Sequence, residues 1–270
     1  MTIITISRQI GSLGDEIAKS TADKLGYEHI EKAHIGDALL KLGFSESEIE
    51  KYDEKKPSIW QTLSTQKNIF AHLIEATIYD LAAKDNVVIV GRGAQAVLED
   101  IPRTLHVRVI APHATRVRRV MEQLGCEEKR AQRIIRQSDH DSSGYIRTYF
   151  DADWDDNRLY DLVINTRTMT MKTGVEMIAH AVDSDAFKKS TQVYEKMIDL
   201  ALTHKGLAGL LGVGGMEVVN LVVKRGVATL SGMARSFEAK EECEGAVFNV
   251  KGIAEVNNLI SVPSEGYADE

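Results

Sequence analysis

Hydrophobic positions along the chain fall into two kinds of pattern. Thr2 to Ile6, Val87-Val88-Ile89-Val90 and Leu162-Val163-Ile164 are short, apolar or β-branched throughout, and Leu105 to Ile110 reads as a further strand. Such runs suit strands buried on both faces, the condition of a parallel sheet covered by helices. Between them, apolar residues recur at helical spacing. Ile17, Ala18, Ala22 and Leu25 share one face, and Gly26 is placed to stop the helix. A second helix is predicted near 34–42, ending at Gly43, and Ser45 with Glu48 has the form of a capping box. Pro57-Ser58 opens a long amphipathic helix carrying Leu63, Ile69, Phe70, Leu73, Ile74 and Ile78. Strands alternating with helices argue for βαβ units in one parallel sheet.

The pattern changes near Val182-Asp183-Ser184-Asp185. A helix is predicted over Thr191–Leu202, followed by a glycine-rich stretch from Gly206 to Gly215. Val218 to Val223 then reads as a strand, Lys224-Arg225-Gly226 as a turn and Val227 to Gly232 as the returning strand. A helix over Glu238–Val247 and a third strand ending at Val262 complete an α-β-β-α-β order. The expected organisation is a first domain over 1–183, a linker over 184–189, a second domain over 190–262 and a frayed polar tail over 263–270.

Composition narrows the function classes. A length of 270 residues favours two domains, and 43% apolar with 27% charged residues is the balance of a soluble globular protein. A net charge of −7 gives the surface as a whole no attraction for nucleic acid or anionic lipid, so any anion site must come from local clustering. Cys126 and Cys243 lie far apart and match neither a disulfide framework nor a zinc spacing. They fit a reducing compartment. The eight histidines show no paired ligand spacing and read as structural or surface residues. The N-terminus lacks a signal-peptide pattern, and the longest uncharged apolar stretch, Gly206 to Met216, is well short of the roughly 18 residues of a membrane span. A cytoplasmic protein without a transmembrane segment or a nucleic-acid partner is expected.

Candidate chemistry begins at the first strand. Ser7-Arg8-Gln9-Ile10-Gly11-Ser12-Leu13-Gly14-Asp15-Glu16 leads from a strand through a glycine-bearing turn into a helix. At such a junction backbone N–H groups point outward and the helix dipole favours an anion. The stretch departs from the G-x-x-x-x-G-K-[ST] phosphate loop, because no lysine follows Gly14. Taken alone, it reads equally well as an ordinary strand–turn–helix with acids at the helix start. Arg92, in Gly91-Arg92-Gly93, follows the strand Val87–Val90, and ligands of open α/β sheets bind beyond such strand ends. Residues 103–147 hold ten Lys/Arg against five acids, and Arg130, Arg133 and Arg136 are spaced to share a helix face. That face is either simply solvated or a set of guanidinium groups suited to phosphate oxygens. The acidic stretch Asp151 to Asp156 lacks the glycine and glutamate positions of a calcium loop.

Together these motifs resemble the nucleoside monophosphate kinases, and most specifically the cytidylate kinase-like family. The likeness is carried by Ile4 to Gln9 with Gly11-Ser12 and Gly14, by Val88 to Ala94, by Arg116 to Arg136 with Asp139, by Asp153 to Asp156 and by Tyr160 to Thr166. It implies a P-loop α/β fold, a parallel sheet flanked by helices, and phosphoryl transfer from ATP with Mg²⁺ to a nucleotide such as CMP or dCMP. By match, Gly11, Ser12, Leu13, Gly14 and Asp15 form the phosphate loop and Arg92 holds the acceptor's phosphate. Arg133, Arg136 and Arg147 belong in or beside a lid. For the missing lysine, Arg8 is expected to supply the cation while Asp15 faces Mg²⁺. The C-terminal αββαβ segment, with Gly226 to Gly232 and Val250 to Leu259, resembles a BON domain, a small α+β module. The resemblance implies a lipid, small-ligand or protein partner. A nucleotide-binding sensor with little or no turnover, acting through that module, is the alternative to the enzyme. Transfer to a different acceptor is a third reading.

Overall fold

The computed structural model describes residues 2–42, 44–51, 65–187 and 191–263. The predicted helix start at Pro57-Ser58, the apolar Leu63 and the tail beyond Pro263 lie outside them. By their contacts, the described residues form two compact units. One comprises the described residues of 1–63 and 81–191, the other those of 64–80 and 192–270.

The first unit is built on five parallel strands: β1 (Ile3–Arg8), β2 (Glu28–Ile30), β3 (Val87–Val90), β4 (Thr104–Ile110) and β5 (Leu162–Asn165), in the order β2-β3-β1-β4-β5. β1 is central, with Ile6 in register with Val90 on one side and Arg8 with Val109 on the other. The strand ends Arg8 and Val90 therefore open at the same edge of the sheet. Helix α1 (Gly14–Leu25) packs Ile17, Ala18 and Ala22 into a core with Ile4, Ile6, Val88, Val107 and Val109. Gly26 ends α1 in the left-handed conformation at φ 67°, as its position in the sequence suggests.

Helices α2 (Lys32–Lys41) and α3 (Glu46–Lys51) follow β2. Helix α4 (Thr65–Ala82) carries the buried Phe70, Ile74 and Ile78. The short α5 (Ala94–Val97) follows β3. The arginine-rich region forms α6 (His113–Leu124) and α7 (Glu128–Phe150), and α8 (Met171–Val182) follows β5. The sequence pattern misses β2, whose three residues are too few to show a period, and only its Ile30 is buried.

In the second unit, helix α9 (Thr191–Leu210) precedes a three-stranded sheet of β6 (Met216–Lys224), β7 (Val227–Ala234) and β8 (Glu255–Ser261), with α10 (Phe237–Phe248) between the last two strands. β6 and β7 form an antiparallel hairpin, and β8 joins β7 in parallel. The hairpin turn is Arg225-Gly226, both at positive φ, the twist that a two-residue connection demands. Helix α9 runs two turns past the predicted end at Leu202. Gly206 does not break it, because a Cβ there would come 2.4 Å from Leu221 Cδ2 on the sheet. The missing side chain thus lets helix and sheet meet, around a core of Leu221, Leu230, Cys243, Val247 and Ile260.

Candidate active site

The turn after β1 is held from behind by side chains. Arg116 Nε of α6 donates to the Ile10 carbonyl at 2.8 Å, and Arg119 Nη1 to that of Gly11 at 3.2 Å. The Thr166 hydroxyl, just past β5, donates to the Ser12 carbonyl at 2.8 Å. Three consecutive carbonyls are thus tied to the protein side. Peptide geometry turns N–H groups opposite to carbonyls, so this anchoring turns the amides of Gly11 and Leu13 away from the protein side, while the Ser12 N–H closes the turn on the Gln9 carbonyl at 3.1 Å. Gly11 and Leu13 adopt left-handed φ of 75° and 65°, and the N–H groups of the first turn of α1 have no intrahelical acceptor. The Ser12 hydroxyl is buried and has no hydrogen-bond partner among the described residues. Arg116 is itself fixed by a two-pronged pairing with Asp139, at 2.8 and 2.7 Å. The loop has the shape and polarity of an anion cradle, so the residues present fit a phosphate group.

Gly14 is required in steric terms. A Cβ at position 14 would lie 2.3 Å from Cβ of Arg8. The strand-end arginine crosses the start of the helix, and only glycine leaves room for it. Arg8 Nε then donates to Asp15 Oδ1 at 2.8 Å, which holds the exposed carboxylate at the loop mouth.

The second half of the site comes from β3. Gly91, Arg92 and Gly93 take left-handed φ of 71°, 56° and 76° in succession. For a non-glycine residue this conformation costs about 1–2 kcal/mol. It is held by burial: Arg92 is only 4% exposed, and a Cβ on Gly93 would meet the Phe150 ring of α7 at 2.1 Å. Arg8 and Arg92 line one cleft together with Ser7, Gln95, Ser142, Tyr145 and Trp154. The structure therefore brings together the two arginines that the sequence singled out at separate strand ends. Arg133, Arg136 and Arg147 stand elsewhere. All three are exposed on α7, do not line the cleft, and make no hydrogen bond or ion pair among the described residues.

One part of the site was not singled out from the sequence. Arg108 of β4 is 4% exposed and donates to the Trp154 carbonyl at 2.6 Å and to the Asp155 carboxylate. Its guanidinium lies 4.9 Å from the centre of the Trp154 ring and 5.3 Å from that of Tyr160. Trp154 Nε1 in turn donates to the Ser7 hydroxyl at 2.8 Å, and the Tyr160 hydroxyl to the Trp154 carbonyl at 2.9 Å. Burial pushes the Tyr160 phenol up from its ordinary value, so it keeps the proton that it donates. This network joins the acidic stretch to the cleft wall. Asp155 serves Arg108, while Asp156 caps a short 3₁₀ turn and pairs with Arg158. The available signal was an arginine inside an otherwise buried strand, which demands a partner.

Comparisons with known proteins agree with this arrangement. The family described as the cytidylate kinase-like family matches residues 3–168, and the BON domain family matches residues 215–264. A cytidylate kinase of Haloarcula marismortui is 27% identical over 184 residues, covering 67% of this chain and 90% of that protein. A cytidylate kinase of Thermococcus kodakarensis is 30% identical over 166 residues, covering 61% of this chain and 79% of its own. Among solved structures, an uncharacterized protein from Eubacterium ventriosum aligns with a TM-score of 0.54 at 26% identity, over 68% of this chain and 99% of the other. The match over residues 3–168, more than half of the chain and spanning both the loop after β1 and the cleft at the end of β3, makes this chain a member of the cytidylate kinase-like family, with a BON domain over residues 215–264.

Proposed function

We propose that the protein catalyses phosphoryl transfer from ATP to a nucleoside monophosphate, with CMP or dCMP as the leading acceptor. The observation that carries this reading is the single cleft lined by Arg8 and Arg92, beside the anchored loop. When bound, ATP with Mg²⁺ supplies the transferable group and the divalent charge that offsets it. The chain's own contribution is positioning and charge. Gly11, Leu13 and Gly14 offer backbone donors to phosphate oxygens, and Ser12 offers its buried hydroxyl. Arg8 supplies the cation that a loop lysine would otherwise bring, and Asp15 offers a carboxylate for the metal. Arg92, preset by its backbone, takes the acceptor's phosphate. Arg133, Arg136 and Arg147 come from a helix that folds over the transferred group, since phosphoryl transfer depends on neutralising charge in place. The relatives named cytidylate kinase support the choice of acceptor base. An ATP-dependent reaction and two free thiols suit the cytoplasm. No helix among the described residues is long and apolar enough to cross a membrane. The second domain is assigned a lipid, small ligand or protein as its partner.

A second reading has its own observation. Arg8 is ion-paired with Asp15, so part of its charge is spent within the loop. This favours a nucleotide sensor that binds without turnover and acts through the BON domain. An assay of phosphate transfer from ATP–Mg²⁺ across the nucleoside monophosphates separates the two. Turnover highest with CMP or dCMP is expected, and binding without turnover for every acceptor would establish the sensor instead. Titrating ATP–Mg²⁺ into Arg8→Ala tests the replacement cation. Losing one charge-assisted contact, worth ~1.5–3 kcal/mol, predicts roughly 10- to 100-fold weaker binding. Undiminished affinity removes Arg8 from the role.

A further inference from the structure

Two of the eight histidines, which showed no ligand spacing along the sequence, meet in the second unit. His72 and Glu75 are three residues apart on α4 and so share a face, and His204 comes from α9, 132 residues away from His72 in the chain. His72 Nδ1 lies 3.2 Å from Glu75 Oε2, His204 Nδ1 lies 2.6 Å from the same oxygen, and the two Nδ1 atoms are 3.2 Å apart. Among the described residues this is the group in which three metal-ligating side chains meet. All three side chains are half-buried, at 28%, 22% and 19% exposure, so the centre is shielded yet reachable.

Protons alone satisfy this triangle poorly. A ring Nδ1 carries either a hydrogen or a lone pair. If both rings place a hydrogen at Nδ1 to reach Glu75, two N–H groups confront each other across 3.2 Å. If one ring keeps its lone pair there, that lone pair faces a carboxylate oxygen. A cation at the centre engages all three lone pairs at once. The dimensions agree: bonds of ~2.0–2.1 Å in a tetrahedral centre set neighbouring ligand atoms about 3.3 Å apart. Two edges of the triangle already have that length, and only the His204–Glu75 edge must open slightly.

We propose that His72, Glu75 and His204 form a binding site for a divalent first-row transition metal, Zn²⁺ foremost, which clips α4 to α9. Two imidazole nitrogens and one carboxylate oxygen suit Zn²⁺ rather than the all-oxygen preference of Mg²⁺. The fourth position stays open to water or to a donor from a ligand. The site shares no residue with the phosphate cradle and does not depend on the kinase reading.

The test uses the full chain, stripped of metal with a chelator. Zn²⁺ is titrated against a chromophoric chelator, and Co²⁺ binding is followed by its visible absorption. One tight site per chain is expected, with the intense Co²⁺ bands of a four-coordinate centre and a rise in melting temperature on adding Zn²⁺. His72→Ala and His204→Ala should each weaken Zn²⁺ at least about 100-fold, the upper end of what losing a mere outer-shell partner costs. Both should abolish the thermal shift. The wild-type titration does not rely on any variant folding, so absence of a tight site there overturns the proposal. Undiminished affinity in both histidine variants overturns it as well. Glu75→Gln, which keeps the shape of the side chain, serves as a third variant where circular dichroism shows that a histidine variant has unfolded. Unchanged Zn²⁺ affinity in that variant also counts against the site.

Discussion

Helices α6 and α7 are neighbours, and each carries arginines three residues apart, yet the two sets do opposite things. Arg116 and Arg119 of α6 reach back to the carbonyls of the phosphate loop, and Arg116 is 3% exposed. Arg133 and Arg136 of α7 point to solvent. The difference lies in their place relative to the buried residues of each helix. Arg116 is four residues before the buried Val120 and shares its face. Arg133 is two residues from both Ala131 and Ile135, the buried residues nearest to it on α7, and two residues is about 200° around a helix. One set of guanidinium groups is structure, holding the loop after β1 from behind. The other is free to meet charge that arrives. Spacing between arginines tells nothing of this, but spacing from arginine to the apolar stripe does.

That contrast can be broken at several points. The largest effect is expected for Arg116→Ala. It strips Asp139 of a two-pronged partner and orphans the Ile10 carbonyl, and breaking a buried pair costs about 3 kcal/mol. Urea unfolding should show this loss, and nucleotide affinity should fall with it. A stability within 0.5 kcal/mol of wild type would mean that α6 does not brace the loop.

A smaller effect concerns β4, the strand beside the loop. Burial lowers the His106 pKa below the ordinary imidazole value, against the opposing pull of Asp161. The folded state therefore binds this proton less readily than the unfolded chain. Stability should be full above the unfolded-state value of ~6.5 and decline as pH falls toward the lower folded-state value. Melting temperatures measured between about pH 7.5 and 5.5 check this, and the slope should lessen in His106→Gln.

The smallest effect on stability is expected for Arg133→Ala and Arg136→Ala. Exposed side chains without partners change stability by no more than about 0.5 kcal/mol. Under the proposed function, the same variants should nonetheless slow turnover while leaving ATP affinity nearly intact. Wild-type turnover in both would leave α7's outer arginines as solvated charge.

Much of the first unit could be read before its structure was known. Four of its five strands were legible, three of them as short apolar or β-branched runs, and Gly11, Gly14, Gly91 and Gly93 mark the turns beside the cleft. The αββαβ order of the second unit was equally plain, because a hairpin turn at Arg225-Gly226 and the strand alternation are local signals. Features that depend on distant residues were not legible. The Arg108 network joins residues 46 or 47 positions apart, and the histidine triangle spans 132. Helix α9 outran its predicted end for a similar reason. Whether a glycine breaks a helix depends on what packs against it, and the partner of Gly206 is Leu221 on another element.

The grouping of residues 64–80 with residues 192–270 has a consequence for how the protein is made. Asp80 pairs with Lys205, a residue 125 positions later. At a synthesis rate of ~5–20 residues per second, α4 leaves the ribosome roughly 6 to 25 seconds before that partner exists. Throughout this interval the nascent chain carries a finished helix whose companion has not been translated.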